Sequence, residues 1–156
     1  MSTISHRERA AGVHPLLQAL LDAWAQEGTH DIVVAPNGGV RRDAALQRKL
    51  AAAGSSNATS LSTTPHGRAA ALDVWPASFL PFVPTSAGGT GPRWVAWEAL
   101  PQQVRDEFRA FGEFAERRAG FRWGGRFRGA NFPNGDQPHV ELSSWAALPF
   151  PPPIYG

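Results

Sequence analysis

Apolar residues recur at three- and four-residue intervals in two stretches of the chain. In residues 13–24, Leu16, Leu17, Leu20, Leu21 and Trp24 fall on one side of a helical wheel, and Pro15 suits a first turn whose N–H has no partner. In residues 98–118, Val104, Phe108, Phe111, Phe114 and Ala115 keep the same spacing, with Gly120 placed to cap the end. Residues 42–53 lack a strong stripe but are rich in Ala, Leu, Gln, Arg and Lys, which predicts a third helix stopping at Gly54.

Between these helices the period shortens. Residues 31–35, Asp31-Ile32-Val33-Val34-Ala35, are β-branched and run into Pro36-Asn37-Gly38-Gly39, a strand entering a turn. Residues 69–74 predict a second strand, 121–127 a strand or turn, and 139–142 a short last strand. Residues 76–92 hold four prolines and three glycines and read as a surface excursion or lid. The Pro-rich tail, residues 149–156, cannot enter a sheet interior and is expected to lie extended on the surface. These elements predict an α+β fold: one domain over residues 1–156, with helices packed on a small antiparallel sheet around an open groove.

At 156 residues and 42% hydrophobic, the chain is long enough for one sizeable core. It has no cysteine, so disulfides, thiolate ligands and thiol nucleophiles are excluded, and any metal must bind through His, Asp or Glu. The net charge of +2 is small, and the arginines alternate with acids instead of forming a stripe, which argues against a nucleic-acid partner. The first twelve residues are polar and charged, and residues 16–24 are too short to span a bilayer. Neither a signal peptide nor membrane insertion is expected, and the protein is read as a monomer made in a cytoplasm.

His66 and Asp73 sit seven residues apart in Thr64-Pro65-His66-Gly67-Arg68-Ala69-Ala70-Ala71-Leu72-Asp73, and Asp136-Gln137-Pro138-His139 answers them near the C-terminus. Imidazole nitrogen and carboxylate oxygen are preferred zinc ligands, and a catalytic zinc keeps three protein ligands with the fourth position open to water. His66, Asp73 and His139 meet that requirement for Zn2+, leaving Asp136 as a base for hydrolytic chemistry. Two nitrogens and one oxygen also suit manganese or cobalt. Glu141, two residues beyond His139, shares its strand face and is placed to support it.

At these residues the chain resembles the D-Ala-D-Ala carboxypeptidase-type zinc peptidases of the lysostaphin, carboxypeptidase and hedgehog-like superfamily, and among them the phage endolysins that are L-alanyl-D-glutamate peptidases. That family carries Ser-x-His-x-x-Gly-x-Ala-x-Asp; Thr64, His66, Ala71 and Asp73 match, with Ala69 where glycine is usual. Asp136-Gln137-Pro138-His139-Val140-Glu141 matches its second signature. Phe121-Arg122-Trp123-Gly124-Gly125-Arg126-Phe127 resembles the Trp-Gly-Gly-x-Trp stretch before it, with Phe127 for the second tryptophan. Gly12-Val13-His14-Pro15-Leu16 and Gly38-Gly39-Val40-Arg41 match as well, so the likeness spans nearly the whole chain.

The resemblance implies hydrolysis of an amide in the peptidoglycan stem peptide, L-alanyl-D-glutamate above others, by a lytic enzyme that reaches the cell wall after release. Thr64 is implied to lie near the ligands or the substrate. An arginine would bind a substrate carboxylate, since a guanidinium fork matches it bidentately. Gly39-Val40-Arg41 points to Arg41, whereas the spacing to Gln47 and Leu50 points to Arg42. Two other functions fit the same residues: trimming of D-Ala-D-Ala by a carboxypeptidase or dipeptidase, and wall binding without catalysis.

Overall fold

Five short strands form one sheet in the order β1-β2-β3-β5-β4: β1 (Ile4–Ser5), β2 (Ile32–Val34), β3 (Ala71–Pro76), β4 (Phe121–Trp123) and β5 (His139–Leu142). Among the described residues two helices pack on it, α1 (Pro15–Glu27) and α2 (Gln102–Glu116). The computed structural model describes residues 1–36, 48–49, 52, 61–84 and 94–155. The predicted helix over 42–53 falls largely outside them, as does the turn 38–41. Arg48, Lys49 and Ala52, which are described, are helical.

The architecture is α+β as the patterning predicts, but the sheet is mixed, not antiparallel. β2, β3, β5 and β4 pair antiparallel, whereas β1 runs parallel to β2. Thr3 anchors this added strand: its N–H donates to Asp31 Oδ1 (2.7 Å) and its carbonyl accepts from Ile32 N–H (3.0 Å). Two residues are too few for a period-two signal, so β1 has no signature in the sequence.

The register places Leu72 opposite Val140, Val74 opposite Val34, and Phe121 and Trp123 opposite Leu142 and Val140. Cross-strand partners share a face of a sheet, and this face is the core. Leu17, Leu20, Leu21 and Trp24 of α1 and Phe111, Phe114 and Ala115 of α2 close over it. Trp24 meets Phe111 and Phe114 edge-on at 5.2 and 5.0 Å. Each fully buried side chain of this size contributes about 1.5–3 kcal/mol. His14 caps α1, its Nδ1 accepting from Leu16 N–H at 3.1 Å.

α2 holds the whole apolar stripe from Val104 to Ala115 but is shorter than the predicted span 98–118. Residues 97–99 form a separate 3₁₀ turn and Pro101 precedes the helix, since a residue before proline is pushed out of helical geometry. Gly120, at φ 91°, turns the chain into β4 instead of capping α2, whose C-cap is Arg117. The expected excursion after Pro76 also begins with an element: Ala77–Phe82 is a 3₁₀ helix. It buries Phe79 against Trp75 and Phe108 in a second core cluster, and that burial fixes the segment despite Pro81.

Candidate metal centre

The alternation that turns Leu72, Val74, Val140 and Leu142 toward the helices turns their neighbours to the opposite face. Asp73 lies opposite His139, and Glu141 has Ala71 on one side and Arg122 on the other. Two central strands thus deliver Asp73, His139 and Glu141 to one surface. His66 arrives from the 3₁₀ turn His66–Arg68 just before β3, whose C-cap, Ala69, has left-handed backbone at φ 57°. Ala69 holds the position where the sequence pattern favours glycine, and this φ is the physical reason for that preference.

His66 Nε2 is 3.3 Å from Asp73 Oδ1, and His139 Nδ1 is 3.2 Å from the same oxygen. One ligand atom from each of His66, Asp73 and His139 lies within 4.8 Å of the others, a spacing that could hold a metal ion. The donor set, two imidazole nitrogens and one carboxylate oxygen, is that of a divalent ion such as zinc. Both histidines are buried, and Asp73 is 21% exposed. Asp136, 39% exposed, brings Oδ2 to 3.9 Å from His139 Nδ1. Its backbone N–H is held by the Gly124 carbonyl at 2.7 Å, which ties the turn carrying it to the end of β4.

On the other side of the His139 ring, Nε2 lies 2.8 Å from Glu141 Oε1, both residues being buried. A carboxylate accepting from one ring nitrogen fixes the tautomer that leaves the other as a ligand. Here it frees Nδ1, the atom turned toward Asp73. Burial disfavours a charged His139, but its hydrogen bonds to Asp73 and Glu141 and the nearby charges of Asp73 and Asp136 outweigh it, raising its pKa to about 10. Burial also penalises the Asp73 carboxylate, yet the His66 charge and hydrogen bonds from both histidines hold it well below the ordinary range.

Of the residues singled out in the sequence, His66, Asp73, His139 and Asp136 are therefore brought together, with Glu141 behind them. Thr64 is buried in the turn leading to His66, its N–H donating to the Leu61 carbonyl at 3.4 Å. Arg41 and Arg42 lie outside the described residues. Arg122, which residue type and spacing do not single out, has its guanidinium 3.7 Å from Glu141 Oε2 and 5.2 Å from the Phe127 ring centroid. Only the β4–β5 register, which no motif encodes, puts it there. Phe127 is 5.8 Å from the His139 ring and walls the same side of the site.

No family model matches the chain, and no curated protein matches it. Among solved structures, the crystal structure of the Serratia marcescens L-Ala D-Glu endopeptidase ChiX is similar, with a TM-score of 0.59 and 22% identity over 92% of this chain and 91% of that chain. The two share a fold over nearly their whole lengths.

Proposed function

We propose that this protein is a divalent-metal peptidase, zinc its first candidate ion, that hydrolyses an amide bond in the peptidoglycan stem peptide, with the bond between L-alanine and D-glutamate as its target. The observation that carries this reading is the convergence of His66, Asp73 and His139 on one sheet face beside Asp136. The fold shared with an L-Ala D-Glu endopeptidase supports the choice of substrate. His66 Nε2, Asp73 Oδ1 and His139 Nδ1 would hold the metal, which when bound polarises a carbonyl and acidifies water. Asp136, the most exposed of the four, takes the proton from the attacking water at its carboxylate and returns it to the leaving amine. Glu141 keeps the proton on His139 Nε2, so Nδ1 stays available as a ligand.

Among the described residues no helix is long and apolar enough to cross a membrane. On the lytic-enzyme reading, the chain meets the cell wall after release from the cell that makes it.

The test is digestion of purified peptidoglycan, with products identified by mass spectrometry, with and without chelator. New N-terminal D-glutamate that disappears on chelation and returns with zinc is the expected result. Release of free D-alanine would redirect the assignment to a carboxypeptidase. Binding to the wall with no product would make the domain a binding module, and a digest indifferent to chelator would sink the metal mechanism.

A further inference from the structure

We infer that Arg122 is a specificity-determining residue that binds a free carboxylate of the substrate; the inference rests on the peptidase reading above. Asp73, Asp136 and Glu141 already place three carboxylates on this face. A further cation on this face would favour the approach of an acidic peptide.

The described arginines around the site are mostly committed elsewhere. Arg126 is held by Glu116 at 2.6 Å, Arg128 by the Gly125 and Phe127 carbonyls at 2.9 and 2.7 Å, and Arg68 by the Ser62 and Leu148 carbonyls. Arg122 differs. Its sole ion pair among the described residues, with Glu141 Oε2 at 3.7 Å, is longer than a hydrogen bond, and its side chain is 53% exposed. Its guanidinium rests near the Phe127 ring, a neighbour that orients it without using a donor.

Position agrees with availability. Arg122 is the cross-strand neighbour of Glu141, so its backbone lies one strand spacing, about 4.8 Å, from the strand carrying His139. It lines a cleft of about 340 Å³ with Trp123, Arg126, Phe127, Phe121 and Glu116. A glutamyl residue acylated at its amine and joined onward through one carboxyl keeps the other carboxyl free, a few bonds from the scissile nitrogen. The cleft adjoins the site through Phe127, whose ring is 5.8 Å from that of His139, and the inference places the carboxylate there when the scissile carbonyl lies at the ligand residues. Two parallel N–H···O bonds from the fork would hold it.

The test compares two synthetic peptides of the L-Ala–D-Glu type that differ only in whether the second residue's free carboxyl is a carboxylate or a primary amide. The native protein should favour the carboxylate by about 10- to 100-fold in kcat/KM, the range expected for charge-assisted hydrogen bonds. In Arg122→Ala the preference should collapse to near unity, with the loss in KM for the carboxylate peptide. Arg122→Glu should favour the amide. Calorimetric Kd values for the same peptides on metal-loaded Asp136→Ala, with and without Arg122→Ala, should give the same ratio without turnover. An unchanged carboxylate-to-amide ratio in Arg122→Ala, or an equal loss on both peptides with weaker metal binding, overturns the inference and makes Arg122 a prop for Glu141. Failure of the native protein to cut either peptide overturns the peptidase reading itself.

Discussion

Replacing Glu141 probes whether His139 is a metal ligand through Nδ1. The carboxylate accepts from His139 Nε2 at 2.8 Å, and both side chains are about 5% exposed, so water cannot substitute for either partner. In Glu141→Gln a neutral acceptor replaces a charged one. Charged hydrogen bonds contribute roughly 1.5–3 kcal/mol and neutral ones about 0.5–1.5, so the ligand orientation weakens by about 1–1.5 kcal/mol, or about tenfold in metal affinity. In Glu141→Leu the Nε2 proton is buried without an acceptor, a further cost of about 1–3 kcal/mol that brings the loss to roughly 100-fold or more. The assay is zinc affinity by competition with a chromophoric chelator at fixed pH, with thermal melts of the metal-free proteins confirming that each variant folds. Graded weakening, Gln before Leu, is the expected result. Native affinity in both variants would refute the geometry, because His139 would then need no support to ligate.

Asp136→Ala should remove turnover by a factor of about 10²–10⁴ while metal content by atomic absorption stays stoichiometric; loss of the metal would instead make Asp136 a ligand. The proton on His139 Nδ1, retained in the metal-free protein up to about pH 10, must leave before a cation can bind. Zinc affinity should therefore rise by about 100-fold from pH 6 to pH 8 for one displaced proton, read by calorimetry in buffers of different ionisation enthalpy. The same raised pKa stabilises the metal-free fold below the ordinary histidine value of about 6.5, a contribution lost as pH climbs toward 10, and melts across that window should show the decline. A Cβ at Gly112 would sit 2.2 Å from the Trp123 indole, which is 4% exposed and donates from Nε1 to the Gln137 carbonyl at 2.8 Å. Overpacking there outweighs the better helix propensity of alanine, so Gly112→Ala should cost about 2 kcal/mol and lower Tm by roughly 4–8 °C.

The helices and central strands were legible because their physics is local. Leu17, Leu20, Leu21 and Trp24 repeat at helical spacing, and Leu72, Val74, Val140 and Leu142 alternate, so burial on one face suffices to predict each element. What stayed hidden depended on distant partners. β1 exists because Asp31 and Ile32 hold Thr3, and Ala77–Phe82 is ordered because Phe79 finds Trp75 and Phe108. A window around Ala77–Phe82 contains Trp75 but not Phe108, and none around β1 contains Asp31 or Ile32.

The same distinction runs through the candidate site. His66, Asp73, Asp136 and His139 stand out as residue types with known affinity for metals and protons, and motif order groups them before any coordinates do. Glu141 is placed beside His139 by its two-residue spacing along a strand, whereas Arg122 acquires meaning only from register, which sets it opposite Glu141. The proposed ligands and the proposed base also hang on different structure. Asp73 and His139 are paired across β3 and β5 in the middle of the sheet, whereas Asp136 is fixed through a turn by the Gly124 carbonyl. Damage to the sheet core should therefore cost metal and turnover together, while damage confined to the turn should cost turnover first. That order follows from the fold, whichever amide the proposed peptidase would cut.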